Sequence, residues 1–168
     1  LKPEKTDSWE LGLEYRMLKN RLGIDFTYYN TKTHNQILSI GTAASSGYTA
    51  RMVNAGEISS HGVELMINGT PLLNKDWRWD VNLNWGSNRT KCIKLTDQIK
   101  RYTLGETRVA SVVVNEGSQF GDIVAKNAYK RDNKGNVLVG NDGLPLKETD
   151  KVIGNMMPKW TCSVGNTV

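Results

Sequence analysis

The stretch Trp77-Arg78-Trp79-Asp80-Val81-Asn82-Leu83-Asn84-Trp85 decides the fold of this chain. Its odd positions are aromatic or aliphatic, and its even positions are charged or amide. A period of two, unbroken over nine residues, is the pattern of a strand with one apolar and one polar face. Nine residues is also about what a tilted strand needs to cross a bilayer core, where the rule is roughly 9–11. Tryptophan stands at both ends of the apolar row, where a membrane strand carries its interfacial rings.

The same pattern recurs on either side. Trp9, Leu11, Leu13, Tyr15 and Met17 alternate with Glu10, Gly12, Glu14 and Arg16. A helix would scatter these apolar residues round its circumference and leave no stripe. Lys19-Asn20 reads as a tight turn. Arg21 to Asn30 is its return arm, with Leu22, Ile24, Phe26 and Tyr28 against Gly23, Asp25 and Thr27. Val63, Leu65 and Ile67 alternate with Gly62, Glu64, Met66 and Asn68, until Asn68-Gly69-Thr70-Pro71 ends the strand. Pro158 to Val168 reads as a strand cut before its hairpin partner, so a fragment of something longer is expected.

The reading is an all-β, antiparallel wall with strands near 8–18, 21–35, 57–70, 77–91 and 158–168, within one domain spanning 1–168. Short turns at Lys19-Asn20 and near Leu73-Lys75 alternate with long loops at 36–56 and 92–157. Transmembrane barrels have this asymmetry, short turns on one side and long loops on the other. The second connection far exceeds an ordinary loop, so it must hold structure of its own or pack on a partner. Val109 to Asn115 reads as a short strand inside it.

Composition removes other classes. Lys plus Arg is 22 against 17 Asp plus Glu, a net charge of +5 spread along 168 residues, with no basic stripe for a nucleic acid. Mean hydropathy is −0.48, and no apolar run nears 18 residues, so a membrane-spanning helix is excluded. A barrel is not, because half of each strand faces a polar interior. Five Trp and six Tyr against two Phe suit an interface with lipid or sugar. His34 and His61 have no nearby metal-ligand or triad partner, and neither a Gly-x-Ser-x-Gly nor a His-Glu-x-x-His motif occurs. No catalytic residue, metal site or cofactor is assigned. Asp132, Asn133 and Asp142 lack the glutamate that a calcium loop carries at its twelfth position. Cys92 falls in the polar register and Cys162 in the apolar one, so no disulfide is expected between them.

Several phrases, in order, resemble the C-terminal barrel of the SusC/RagA family of TonB-linked outer membrane transporters. They are Leu1-Lys2-Pro3-Glu4-Lys5-Thr6 with Ser8-Trp9-Glu10-Leu11-Gly12, then Asn20-Arg21-Leu22-Gly23 with Thr27-Tyr28-Tyr29-Asn30 and Asn35-Gln36-Ile37-Leu38. Asn54-Ala55-Gly56 with Gly62-Val63-Glu64 follows, and then Gly154-Asn155 with Pro158-Lys159-Trp160 and Gly165-Asn166-Thr167. Ser60-His61-Gly62 departs from the Asn-Lys-Gly that the family often shows. The resemblance implies a barrel of roughly twenty-two strands, of which four or five are here. It also implies an N-terminal plug and a TonB-contacting segment outside this sequence, a SusD-like surface lipoprotein as lid, and import of oligosaccharides or peptides across the outer membrane. The partners implied are the remainder of the same chain, the lipoprotein, TonB and the substrate.

On that reading Trp9, Leu11, Leu13, Leu22, Ile24, Phe26, Val63, Leu65, Ile67, Trp77, Trp79, Val81, Leu83 and Trp85 face lipid. Glu10, Glu14, Arg16, Asp25, Glu64, Arg78 and Asp80 line the lumen and seat the plug. Tyr48, Arg51 and Asn54, in the first long loop, either touch ligand or pack that loop onto its neighbours. Two alternatives stand beside this reading: a soluble β-sandwich that binds carbohydrate, and a TonB-dependent receptor for siderophores or vitamins. The sandwich requires Trp79, Val81 and Leu83 to pack against a second sheet.

Overall fold

A computed structural model describes residues 1–41, 44–96 and 99–168. Thr42 and Ala43 of the first long loop, and Asp97 and Gln98 of the second, lie outside the described residues. The chain divides into two compact units, Leu1–Lys91 with Pro158–Val168, and Cys92–Met157.

The first unit is the wall. β1 (Lys5–Met17) pairs antiparallel with β2 (Leu22–His34) from Lys5 opposite His34 to Met17 opposite Leu22, without a bulge. The chain then makes a small hairpin, β3 (Ile37–Gly41) with β4 (Ala50–Asn54), where the sequence predicts only loop. The signal missed is two short aliphatic clusters, Ile37, Leu38 and Ile40 and then Met52 and Val53, without a clean period. β5 (Glu57–Leu73) returns along β2, and β6 (Arg78–Lys94) follows it. The last strand, β13 (Thr161–Thr167), lies on the far side of β6, giving the order β1-β2-β5-β6-β13. The alternating stretches Trp9–Met17, Leu22–Tyr28, Val63–Ile67 and Trp79–Trp85 lie within β1, β2, β5 and β6.

Because every pair is antiparallel and in regular register, the faces propagate from strand to strand. Leu13 lies opposite Phe26 and Phe26 opposite Leu65; Leu11 lies opposite Tyr28 and Tyr28 opposite Val63. On the other side Leu83 lies opposite Val164 and Trp85 opposite Cys162. A one-residue slip anywhere would exchange the faces, and none occurs along β1, β2 and β5.

Proline does not end β5 where the sequence predicts. Pro71 lies inside the strand. The last residue of β2 to pair with β5 is Leu22, opposite Gly69, so no β2 partner is asking for an N–H at position 71. The Arg21 guanidinium instead donates to the carbonyls of Thr70, at 2.9 Å, and Pro71, at 2.8 Å. Trp77 belongs to the next turn: its N–H donates to Asn74 Oδ1 and its carbonyl accepts from the Asn74 N–H.

The second unit is built differently. β7 (Arg101–Glu106), β8 (Ala110–Asn115), β9 (Asp122–Ala125) and β12 (Lys151–Asn155) form a sheet ordered β12-β9-β8-β7. β10 (Ala128–Tyr129) and β11 (Lys147–Glu148) pair as a ribbon between β9 and β12. Val113, Val114 and Val124 are almost wholly buried, with Cys92 and Leu95. This is a small core of its own, as the length of the connection requires. Asp132 accepts from the N–H groups of Lys134 and Asn136 in its own turn, so its carboxylate serves the turn.

The β1–β2 turn holds three non-glycine residues at positive φ, Leu18, Lys19 and Asn20 (55°, 56° and 65°). Arg21 N–H donates to Leu18 C=O at 3.2 Å, which closes a type I′-like turn whose central residues are Lys19 and Asn20. Asn tolerates that region, while Lys is strained there. Lys19→Gly should therefore raise the stability of the full-length barrel by about 0.5–1 kcal/mol, read by urea titration of tryptophan fluorescence. Lys19→Ala should give no gain.

Candidate functional site

The polar face of the wall carries most of the side-chain chemistry of the first unit. Arg16, on β1, reaches Glu14 at 2.9 Å and Asp25, on β2, at 3.2 Å. Its stem crosses Gly23, where a Cβ would collide with the guanidinium. Tyr29 lies over Gly62 in the same way, its ring occupying the space a side chain at 62 would need. These two glycines are buried under a neighbour's long side chain, an aromatic or charged group covering a bare stretch of ladder.

Further along, Asp80 accepts from Thr70 Oγ1 and from Arg78 Nε, each at 2.7 Å. Ser60 bonds Asn88 at 2.8 Å and lies 3.0 Å from Thr90 Oγ1. Asn84 Nδ2 donates to Ser163 at 3.3 Å. These bonds place the even residues of β5 and β6 and the odd residues of β13 on one face. Glu10 lies opposite Tyr29 and Glu14 opposite Asp25, on that same face. Glu64 lies opposite Thr27, also there.

Two shallow concavities mark this face. One, of about 420 Å³, is lined by Asp25, Glu64, Asn84 and Ser163. The other, of about 700 Å³, lies by the β1–β2 turn and is lined by Arg16, Arg21, Arg78, Asp80 and Asn82. The first concavity holds the carboxylates Asp25 and Glu64, and the second holds three guanidinium groups with one carboxylate, Asp80. Among the described residues no group of three His, Cys, Asp or Glu side chains could hold a metal ion. His34 stands between Asp7 (3.9 Å) and Glu57 (3.7 Å), and His61 is exposed.

The opposite face is apolar and largely uncovered. Leu11, Leu13 and Val164 are each about two-thirds exposed, at 64%, 66% and 68%. Trp9 and Tyr28 pack against each other on it, their rings tilted by 49° with centroids 5.3 Å apart. Trp79 is exposed and donates its indole N–H to Asn166 on β13. Val81, Leu83 and Trp85 are half-buried by neighbours within the sheet. Leu22, Ile24, Val63, Leu65 and Ile67 are likewise half-buried, while Phe26 and Trp77 are exposed. Leu11 and Leu13 are exposed rather than packed as the inner face of a sandwich would be. Both cysteines are free, Cys92 buried and Cys162 exposed opposite Trp85.

Of the loop residues, Asn54 has its amide committed. It donates to the carbonyls of Lys2 and Asn35 and accepts from the Lys2 N–H, which pins the base of the β3–β4 hairpin. Tyr48 is exposed beyond the hairpin strands and Arg51 is exposed on β4. Sequence reasoning also missed the Arg21 clasp and the two glycine cradles. A glycine opposite a long side chain was the available signal, legible only once register is known.

An antiparallel wall with one apolar, uncovered face and one hydrogen-bonded polar face defines a piece of a transmembrane β-barrel. Comparison with known proteins gives the family. The family described as TonB dependent receptor-like, beta-barrel matches residues 1–165, and the chain belongs to it. It is 33% identical over 97 residues to TonB-dependent receptor P3 of Formosa agariphila, covering 58% of this chain and 10% of that protein. It is equally 33% identical over 97 residues to TonB-dependent receptor SusC of Bacteroides thetaiotaomicron, covering 57% and 10%. The structure of the RagAB peptide transporter superposes with a TM-score of 0.74 at 22% identity, over 96% of this chain and 19% of that one. The chain thus spans about a tenth of the length of these curated relatives.

In the second unit Glu116 accepts from Lys100 Nζ at 3.0 Å and from the N–H of buried Leu95 at 3.2 Å. The Lys100 bond first, and then the Leu95 bond, hold its carboxyl below the usual glutamate range. A depressed folded value means the stabilisation is present above about pH 4.3, the unfolded value. It is lost as pH falls through the folded value. Hydrogen exchange at Leu95, corrected for its intrinsic rate, should therefore stay slow at pH 6 and accelerate below pH ~4. Glu116→Gln should remove that pH dependence.

Proposed function

We propose that this chain is a wall segment of an outer-membrane TonB-dependent transporter of the SusC and RagA kind. The whole protein imports oligosaccharides or peptides with a SusD-like lipoprotein and draws its energy through TonB. The observation that carries this reading is the uncovered apolar face of a regular antiparallel sheet in a chain of this family. One solved neighbour, the RagAB peptide transporter, supports peptides as a cargo class.

In this assignment the row containing Leu13, Phe26, Leu65 and Trp85 faces lipid, and Glu10, Glu14, Arg16, Asp25, Glu64, Arg78 and Asp80 line the interior. The ion-paired arginines and carboxylates of that interior serve as the seat for the plug. The height of the apolar band supports the assignment. The Ser60–Thr90 and Thr70–Asp80 bonds are separated by ten residues on each strand, so β5 and β6 run in constant register between them. His61, level with Trp9 through Asn30, then faces Arg89. From that level to Trp79 is about 33 Å along the strand at ~3.3 Å per residue. Tilted by about 40°, that is about 25 Å along the normal, the height of a barrel's apolar band.

Spin labels test the facing in the full-length transporter in vesicles. Labels at Leu13, Leu65 and Leu83 should be reached by oxygen and shielded from a water-soluble nickel chelate, and a label at Glu64 should show the reverse. Leu65→Arg should destabilise the barrel by about 2–4 kcal/mol, and Glu64→Arg by much less. Growth of a deletion strain on single glycans and on peptides identifies the cargo; growth unimpaired on all of them would sink the import role.

A further inference from the structure

From the level of Trp9 toward the loop end the outward face changes abruptly. The positions that continue the apolar rows become Lys5 and Asp7 on β1, and Asn30, Lys32 and His34 on β2. On β5 they become Glu57, Ser59 and His61, and on β6 Arg89 and Lys91. The alternate positions Ser60, Asn88 and Thr90 bond one another on the other face. Arg89 and Lys91 are thereby directed outward.

This outward cap is basic, with Lys5, Lys32, Arg89 and Lys91 against Asp7 and Glu57. The two carboxylates are already engaged, Asp7 with Lys5 at 3.1 Å and Glu57 with Lys32 at 2.6 Å. Arg89 and Lys91 make no ion pair among the described residues. Register places Lys32 opposite Ser59, and the β5–β6 bonds place Ser59 level with Lys91, two strands and about 10 Å away. His61 and Arg89 lie one row below. At the short-turn end the exposed Leu18, Leu73 and Trp77 stand among the turn residues, with Lys19 and Lys75 on separate turns.

We propose that Arg89 and Lys91, with His61 beside them, bind the phosphate of a lipid head group at the loop-side border of the apolar band. The inference rests on the lipid-facing assignment of the wall. Charge complementarity argues for it: a cationic patch continuous with a lipid-covered face meets anionic head groups, and Arg offers a phosphate two parallel donors. A free phosphate would have no reason to prefer a patch that begins where the aromatic row ends. The occupant is the phosphate of a membrane-anchored lipid.

The test uses the full-length transporter in detergent, with diphosphorylated lipid A titrated and bound copies counted by native mass spectrometry. Arg89→Gln/Lys91→Gln should weaken lipid binding about tenfold or more, while Lys75→Gln, at the other end of the wall, leaves it unchanged. Dephosphorylated lipid should bind poorly, and millimolar inorganic phosphate should not displace the intact lipid. Unaltered binding by the double variant overturns the proposal, as does displacement by inorganic phosphate. The oxygen accessibility of a Leu65 label separates the two levels. If it persists while the double variant binds normally, only the head-group site falls. If it is missing, the outward assignment falls and the site with it.

Discussion

The backbone ladder is the constraint from which the rest of this structure follows. In hydrocarbon no water can satisfy a peptide N–H or C=O, and each one left open costs several kcal/mol. The wall answers with long strands in unbroken register, from Lys5–His34 down to Met17–Leu22 and on through β5. Regular register fixes the faces, and fixed faces let one side carry a continuous apolar band. The exposed outer edges of β1 and β13 are where the ladder would continue into further strands of a closed barrel.

Within that frame, the polar face is organised by what lies over the ladder. Arg16 covers Gly23 and Tyr29 covers Gly62, so bulk is supplied from the next strand rather than from the residue itself. Arg21 performs a related task at the strand end, holding two carbonyls where β2 stops and Pro71 begins to matter. These are structural uses of charged and aromatic side chains. They leave a face whose charges are held in place by their neighbours.

The second unit obeys different rules because it has a small dry core of its own. Its strands are short, and its registers shift between Thr103 and Gly105 and between Val152 and Gly154. Val113, Val114 and Val124 supply the packing. Single polar clamps, such as Glu116 on Leu95 and Asn155 on Asp122, hold the connections. A loop of this length on a rigid wall is where recognition is commonly carried.

Much of the wall was legible in the residues themselves. A strand wetted on one side must alternate, and Trp79–Trp85 and Trp9–Met17 do so without a miss; their alternation needed no coordinates, although Trp77 falls in the turn before the strand. The β3–β4 hairpin and the second unit were not legible in that way, because their apolar residues are few and their turns are set by local Asp, Asn and Gly chemistry rather than by a period. Nor could sequence say that Pro71 is harmless, that Asn54 is a clasp, or that Arg89 and Lys91 cap the face below which Trp9 sits. Those depend on which residue stands opposite which. Alternation along one strand is a local property of the chain, while register is decided only when strands two or more turns apart meet.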